Sequence, residues 1–548
     1  MSVWIAAALL AGCAGRRPRE TAPVPRAGGA FKLVYQNSPE TLDPQAIILL
    51  ADWEVASLVY EGLTAQGAAP DRVQPLLAES WEESDRGRRW VFTLRQNVYF
   101  HDDPCFPGGR GRKVTAGDVL YTFRRIADPK AEWANWYLFA GKIEGLDDFH
   151  AGRAPAIGGL RALDERRVEF RLTRPYAAFL KVLASQTACI VPREAVERYG
   201  ADFGKHPAGT GPFRLAAWNP FERILLVRNG RYWRTDSRGA RLPYLDSIDI
   251  RFRADATESV LLNAFLKGET HLFAAHQNLY ETIRDDPRHA GKFRRVGALP
   301  EMSLRFLGFS LDTPTALARH PELRRAVALA FDRAELRKQA PQVRITLADT
   351  LVPRPFLARG RSWHPHQPQA AAAIFDGFRK DLAASPITLG SNFQSLDVAL
   401  LRQHLARLAV KATVQIRPAR YFQYIVSQRP SIFRVSFTPS FFDPEDYYCL
   451  FYSKSSPDVN LTRYRSEEFD RTLEAAMVQR NPAGRSALFD RLEEILYRDV
   501  PAIYLNHGTP IHLIAAPYLH GVALRFVYPD LTEAWLAEKD GARTQPEN

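Results

Sequence analysis

Residues 387–416 read ITLGSNFQSLDVALLRQHLARLAVKATVQI, with two short apolar runs on either side of a longer amphipathic segment. The leucines of the middle segment recur at three- and four-residue spacing, as on the buried stripe of a helix. The second short run alternates apolar and polar residues, as a half-buried strand does. The pattern predicts a strand at 387–389, a helix at 396–408 and a strand at 412–416. This order indicates a βαβ unit.

The segments on both sides repeat the alternation of short strands and amphipathic helices. Apolar residues alternate around a turn within 81–100, which predicts a hairpin with one buried face. Thr115 followed three residues later by Asp118 predicts a helix start, because each side chain can cap a backbone amide near the other. Towards the end, one helix is expected to begin after Ser466 and a second to end before Pro501. Together these elements indicate an α/β fold.

The composition is that of a soluble globular protein. The 548 residues are 46% hydrophobic and 24% charged, close to the usual shares. The formal net charge is +12, but Lys and Arg are spread along the whole sequence. The aromatic-basic blocks and zinc spacings of nucleic-acid modules are absent from the sequence. We therefore interpret the charge as a solvated basic surface and expect no nucleic-acid partner.

The first residues predict an exported, lipid-anchored protein. The run VWIAAALLA at 3–11 has the length of a secretory signal and is too short to span a membrane. It ends in LAGC at 10–13, which resembles the lipobox of bacterial lipoproteins, where cleavage before the cysteine leaves a lipid on its sulfur. We predict a signal peptide at 1–12, lipid attachment at Cys13 and a flexible linker at 13–30. The alternative is an ordinary signal peptide with a chance cluster of small residues.

Three further cysteines, Cys105, Cys189 and Cys449, follow the predicted lipid attachment site. An odd number in an oxidising compartment leaves at least one thiol unpaired. Their spacing assigns no connectivity.

The local motifs of common enzymes are absent from the sequence, which contains no G-x-S-x-G, P-loop, H-E-x-x-H or C-x-x-C pattern. His364-Pro365-His366 has no cysteine or acid beside it, so we interpret it as a loop and not as a metal pair. We predict that the protein is not an enzyme and that it needs no cofactor and no metal. A secreted hydrolase whose Ser-His-Asp site is assembled from distant positions is the remote alternative.

Several short phrases occur in a characteristic order along nearly the whole chain. Among them are LDP at 42–44, YEGL at 60–63, PLLAESW at 75–81, TGPF at 210–213 and DP at 443–444. Together they resemble the family 5 extracellular solute-binding proteins, whose members bind oligopeptides, dipeptides, nickel complexes and related solutes for import.

The resemblance implies a two-lobed periplasmic-binding-protein-like fold of type II, with an extra inserted subdomain and a ligand cleft between the lobes. Hinge closure would bury the solute, and a permease would recognise the closed state. The expected boundaries are 31–68, 186–290 and 500–535 for lobe I, 69–185 for the inserted subdomain, 291–499 for lobe II and 536–548 for a disordered tail.

The resemblance also implies where the ligand lies. In peptide-binding relatives, an aspartate shortly before an Asp-Pro pair meets the ligand's α-amine, and Ser440 occupies that position here. Either the solute lacks a free α-amine, or another acid such as Asp443 or Glu445 compensates. We predict weak or no binding of ordinary short peptides. The predicted ligand-binding residues are Ile48, Leu49, Leu50, Phe437, Thr438, Pro439, Ser440 and Phe441.

A run of aromatic residues close to this segment has two interpretations. Tyr447, Tyr448, Phe451 and Tyr452 can stack on a ligand or belong to the core or a lobe interface. The sequence favours neither.

The expected partners follow from the same resemblance. They are a small solute, peptide-like or more apolar, the permease subunits of an ABC importer, and the membrane through the lipid anchor. We expect a monomeric, membrane-anchored lipoprotein in the bacterial periplasm or on the cell surface. A sensor, or an adhesion or assembly lipoprotein on the same fold, is the alternative.

Overall fold

The computed structural model describes residues 24–67, 72–131, 134–254, 256–299, 302–340, 345–353, 356, 364–525 and 528–538. The predicted signal peptide, Cys13, the first part of the linker and most of the predicted tail lie outside these residues.

The first lobe contains two sheets. Its four-stranded sheet has the order Ala30–Tyr35, Ser247–Phe252, Arg223–Arg228 and Phe213–Asn219, with a parallel first pair and antiparallel neighbours beyond it. The three-stranded antiparallel sheet has the order Leu272–His276, Ile511–Ala515 and Arg294–Leu299. Inward-facing apolar residues such as Phe31, Leu226 and Ile248 form the core of this lobe.

The inserted subdomain is built on an antiparallel sheet with the order Ala78–Ser84, Arg89–Leu94, Arg167–Arg171 and Leu160–Ala162. The first two strands form the predicted hairpin. The helix Ala116–Ile126 begins at Thr115, which forms a capping box with Asp118, as predicted. Shorter strands pair at Thr64–Gln66 with Val73–Pro75.

The second lobe is built on a six-stranded sheet. Its order is Thr346–Leu347, Ala502–His507, Leu304–Phe309, Ile432–Phe437, Ile387–Ser391 and Ala412–Ile416. The last two strands pair in parallel and are connected by the helix Leu396–Arg407, which confirms the predicted βαβ unit. The strand Ile432–Phe437 lies inside this sheet, so the segment that follows it leaves from the centre of the lobe.

The predicted helices near the end are Glu467–Val478 and Pro482–Asp499. The Ser466 hydroxyl accepts a hydrogen bond from the Phe469 amide at 3.3 Å, and the second helix ends before Pro501, as predicted. The other helices are Leu50–Ala56, Leu146–His150, Phe179–Val182, Arg193–Tyr199, Glu258–Leu266, Gln277–Asp285, Ala316–Arg319, Pro321–Ala330, Ala334–Gln339, Pro368–Gly377, Arg379–Ala384, Tyr421–Gln428 and Pro444–Tyr448. Two short pairs, Leu519–His520 with Trp535–Leu536 and Ala523–Leu524 with Pro529–Asp530, lie near the C-terminus.

The chain passes between the lobes after Leu299 and again after His507. The segments that flank the two crossings lie side by side: Leu299 is paired with Ile511, Leu304 with His507, and the Gly508 amide donates to the Ser303 carbonyl at 3.0 Å. Two adjacent connections of this kind are suited to act as a hinge.

Strand pairing runs past two of the expected lobe boundaries. Residues 294–299, expected in lobe II, pair in the sheet of the first lobe, whereas residues 502–507, expected in lobe I, pair in the sheet of the second lobe. Local sequence pattern identifies a strand but not its partner, which accounts for the difference. We therefore propose lobe boundaries close to residues 300 and 508.

The described cysteines Cys105, Cys189 and Cys449 are all free thiols. Within the residues that the structure covers, no helix has both the length and the apolar character needed to cross a bilayer.

Candidate functional site

A cavity of about 390 Å³ lies between the two lobes, and we call it the cleft cavity. Its walls come from the first lobe, the inserted subdomain and the second lobe, represented by Trp53, Asn135 and Phe306. Its volume falls in the range of small-molecule sites, roughly 300–1,000 Å³.

Seven of the eight predicted ligand-binding residues line the cleft cavity. The first lobe contributes Ile48 and Leu49, and the segment that follows the central strand of the second lobe contributes 437–441. Leu50 begins the helix Leu50–Ala56, and its side chain lies outside what the structure describes. The structure therefore brings two segments almost 400 residues apart to one cavity, and ligand contact by these residues stays a prediction.

Several lining residues were not predicted from the sequence. They come from loops, helices and strands scattered over the chain, and no local motif marks them. They include Trp53, Gln66, Asn135, Tyr137, Lys181, Gln186, Phe306, Phe422, Asp458, Val459, Leu461 and Tyr528. Phe442, adjacent to the predicted segment, also lines the cavity.

Apolar side chains on both lobes border the cleft cavity and remain open to solvent. Ile48 is 64% exposed and Leu49 is 43% exposed on the first lobe, and Phe422 is 53% exposed on the second. Covering exposed apolar groups next to a cavity with a ligand or a facing surface removes them from water, which is energetically favourable.

Ser440 contacts a buried acid, Asp446, that was not predicted from the sequence. The Asp446 carboxyl group accepts a hydrogen bond from the Tyr137 hydroxyl at 2.7 Å and another from the Ser440 backbone amide. The Tyr137 and Ser440 hydroxyl oxygens are 3.5 Å apart. Burial raises the pKa of Asp446 to about 7, because the hydrogen bonds to its carboxyl group offset only part of its lost hydration. Tyr137 and Ser440 therefore line the cleft cavity, whereas Asp446, which they contact, is not among the described lining residues.

Asp443 has a structural role. Its carboxylate caps the helix Pro444–Tyr448 by accepting from the Glu445 amide, and it accepts two hydrogen bonds from Arg485 at 2.7 and 2.8 Å. Lys181 from the inserted subdomain donates a further bond at 3.0 Å. Burial alone would raise the pKa of Asp443, but the two cations lower it. Asp443 is consequently an ionised group shared between the second lobe and the inserted subdomain.

Glu445 is also enclosed by protein groups. It accepts a hydrogen bond from the Tyr176 hydroxyl at 2.7 Å and contacts Arg485 at 3.3 Å. Burial raises its pKa, and the neighbouring Asp443 adds to the effect. Asp443 and Glu445 are both fully buried and lie outside the lining of the cleft cavity. Asp443 and Glu445, the two acids that could have replaced the family aspartate, are thus held in a buried network of hydrogen bonds and ion pairs.

Three members of the aromatic run belong to the core. Tyr447, Tyr448 and Phe451 are fully buried, and Tyr448 stacks on Phe489 with ring centroids 5.3 Å apart. The described lining of the cleft cavity contains none of these three residues. Of the two interpretations left open by the sequence, packing is the one that their burial favours.

Two buried histidines, His101 and His364 of the predicted loop, contact neighbouring segments. His101 is buried with its Nε2 atom 2.9 Å from the Gly211 carbonyl, and burial lowers its pKa to about 4. His364 stacks on Tyr497 with ring centroids 4.2 Å apart, and its Nε2 atom is 3.1 Å from the Tyr497 carbonyl. Both rings therefore help to hold neighbouring segments together.

Two α/β lobes that enclose a cavity, joined by paired crossings, define a bilobal solute-binding protein. The family described as bacterial extracellular solute-binding proteins, family 5 Middle, matches residues 72–458. The chain belongs to this family, as the sequence phrases indicated.

Individual relatives are similar over most of their length. The chain is 26% identical over 511 residues to the peptide transport periplasmic protein SapA of Salmonella typhimurium, covering 90% of this chain and 89% of SapA. It is 27% identical over 486 residues to the glutathione-binding protein GsiB of Salmonella typhimurium, covering 85% and 86%. The structure of the periplasmic binding protein DppA from Helicobacter pylori, solved with the peptide STSA, matches with a TM-score of 0.76 at 19% identity, covering 94% of this chain and 99% of DppA. That likeness establishes the two-lobed fold.

Proposed function

We propose that the protein captures a small solute in the cleft cavity by closing its two lobes and delivers it to the permease of an ABC importer. The observation that carries this proposal is the cavity of about 390 Å³, which is lined by both lobes and the inserted subdomain. A ligand in contact with both lobes stabilises their closed arrangement, because it gains those contacts only when the lobes approach.

The names of the relatives support a solute of peptide-like size. SapA is named for peptide transport and GsiB for glutathione binding. The cleft cavity here is bordered mainly by apolar side chains, including Phe437, Phe441 and Phe442. We therefore propose a peptide-like or more apolar solute, bound without chemical conversion.

The position in the cell is part of the same proposal. A lipid on Cys13 would hold the protein on the outer side of a bacterial membrane, in the periplasm or at the cell surface, and residues 14–30 would act as a tether. The binding unit would be a monomer, because the proposed site is completed by segments of one chain.

The experiment is to purify the protein from its native membrane and identify the released solute by mass spectrometry. Small-angle scattering of the stripped and reloaded protein then measures closure. We expect one dominant solute and a smaller radius of gyration when it is restored. A protein that remains empty and rigid, or that releases an altered form of the solute it was given, contradicts the proposal.

A further inference from the structure

The charged groups that border the cleft cavity are few. Among the described lining residues they are Lys181, from the helix Phe179–Val182, and Asp458 of the second lobe. The Lys181 side chain is 21% exposed, whereas Asp458 belongs to the exposed surface. An exposed charge is screened by water and contributes little to binding, but a partly buried one is screened much less.

The acids close to Lys181 are already satisfied by other protein groups. Asp443 is held by Arg485 and Lys181, Glu445 by Tyr176 and Arg485, and Asp446 by Tyr137 and the Ser440 amide. All three are fully buried, and the described lining of the cleft cavity includes none of them. They offer no direct partner to a solute ammonium group at this end of the cavity.

Three cations, Lys181, Arg485 and Lys142, lie close to the three buried acids. Lys181 and Arg485 face a single carboxylate whose pKa is lowered, that of Asp443. Burial raises the pKa of Asp446 to about 7, which reduces its negative charge near neutral pH. Lys142 adds a further positive charge, with its ammonium 5.2 Å from the centre of the Tyr176 ring. Of these cations Lys181 borders the cleft cavity, so a solute anion is attracted to this end of it.

Lys181 has donor capacity beyond its contact with Asp443. A lysine ammonium has three donor hydrogens, and within the described part of the chain Asp443 is the one acceptor that Lys181 reaches, at 3.0 Å. The Ser440 hydroxyl borders the same cavity and can donate to a second ligand oxygen, whereas the hydroxyl hydrogen of Tyr137 is already donated to Asp446.

We infer that Lys181 is a ligand-binding cation that contacts a carboxylate of the solute, and that the cleft cavity takes an apolar molecule with one carboxylate and no free ammonium. The inference rests on the proposed function and narrows it to a solute class. A carboxylate suits the site better than a phosphate, because the lining presents one lysine and no arginine fork among the described residues.

The test uses four pools of random tripeptides made from apolar residues, identical except at their ends. The pools carry a carboxylate only (N-acetylated), an ammonium only (C-terminal amide), both, or neither. Affinity is measured by calorimetry on the solute-free wild-type protein. We expect the carboxylate-only pool to bind at least tenfold more tightly than each of the other three.

Variants assign the effect to Lys181. Lys181→Gln is expected to abolish the tenfold preference and Lys181→Arg to keep most of it, whereas the exposed control Lys205→Gln leaves it unchanged. Thermal unfolding of each variant checks folding, and Lys181→Arg retains a cation beside Asp443.

The inference is overturned if the four pools bind equally, if an ammonium-bearing pool is preferred, or if no pool binds detectably. It is also overturned if Lys181→Gln keeps the preference for the carboxylate-only pool. The proposed function is judged separately, by the solute that co-purifies with the native protein and by closure around it. A co-purified solute without a carboxylate overturns the inference and leaves the proposed function standing.

Discussion

The Tyr137 hydroxyl of the inserted subdomain donates a hydrogen bond of 2.7 Å to the buried carboxyl group of Asp446 in the second lobe. Two parallel contacts accompany it, from Lys181 to Asp443 and from Tyr176 to Glu445. Within a few residues, one segment of the second lobe thus holds three side chains of the subdomain. Because these contacts lie beside the cleft cavity, they couple the stability of this interface to the geometry of the proposed site.

Removing the Tyr137 hydroxyl tests the first of these contacts. Tyr137→Phe leaves a fully buried acid with one donor fewer, which is expected to lower the free energy of unfolding by about 1–3 kcal/mol. Denaturant unfolding followed by tryptophan fluorescence measures the change. The matched control is Tyr99→Phe, at a tyrosine that is partly exposed, and it is expected to change stability by less than about 0.5 kcal/mol. Equal effects of the two substitutions would contradict a role for the bond.

Asp446 is expected to make stability depend on pH. Burial raises its pKa from 3.8 to about 7, so the folded state binds the proton more tightly than the unfolded chain does. The contribution of Asp446 to the free energy of unfolding is therefore largest below about pH 4 and is lost as the pH rises towards 7. The free energy of unfolding changes through this group by at most about 1.4 kcal/mol per pH unit.

Asp446→Asn isolates that contribution, because Asn imitates the protonated acid. Glu54 and Glu493, whose pKa values are also raised to about 7 by burial, titrate in both proteins and cancel in the comparison. We expect the variant to gain stability relative to the wild type as the pH increases from 4.5 to 7.5. Thermal unfolding across this range measures it, and the exposed control Glu82→Gln should give a constant difference. A constant difference for Asp446→Asn as well would show that the carboxyl group does not titrate in this way.

Arg485 is expected to be essential for the interior network. Arg485→Met leaves Asp443 with Lys181 as its remaining cation in a fully buried position, and breaking a buried pair costs about 3–5 kcal/mol. Arg491→Met, which removes exposed pairs with Glu468 and Glu494, is the matched control and should cost about 0–1 kcal/mol. Chemical unfolding compares the two, and similar losses would argue against the network.

Phe422 is expected to affect binding without affecting folding. Its ring is 53% exposed and borders the cleft cavity, so Phe422→Ala removes little packing from the protein alone. Covering such a ring on closure is worth about 1–2 kcal/mol, so affinity for the co-purified solute should fall roughly tenfold. Phe221→Ala, at an exposed ring outside the described cavity lining, should leave affinity unchanged. If Phe422→Ala lost stability but kept its affinity for the solute, Phe422 would be a packing residue and not a ligand-binding one.

Cys13 is expected to determine membrane attachment. Cys13→Ser removes the sulfur that would carry the lipid, so the protein should move from the membrane fraction to the soluble fraction. Fractionation of cells and mass measurement of the N-terminal peptide record the change. Cys105→Ser, which substitutes a free thiol of the folded part, is the control and should stay with the membrane. A membrane-bound Cys13→Ser protein, or a wild-type peptide without lipid, contradicts the prediction.

Local sequence patterns determined much of the secondary structure and the family. The βαβ unit at 387–416, the capping box at Thr115 and the helix begun by Ser466 depend on residues a few positions apart, and all three are confirmed. The ordered phrases along the chain identified the family that matches 72–458. The periodicities of strands and helices are short, so the sequence displays them directly.

Contacts between distant segments depended on the tertiary structure. The bond between Tyr137 and Asp446 joins residues 309 positions apart, and the strand 502–507 belongs to the second lobe because of its pairing with Leu304–Phe309. Lys181 also lines the cleft cavity only because of the tertiary structure, since no sequence motif marks its helix Phe179–Val182. Whether a charge is buried, paired or offered to a ligand depends on partners that only folding brings together. Sequence therefore specified the elements and the class of protein, and the arrangement in space decided the chemistry of the cavity.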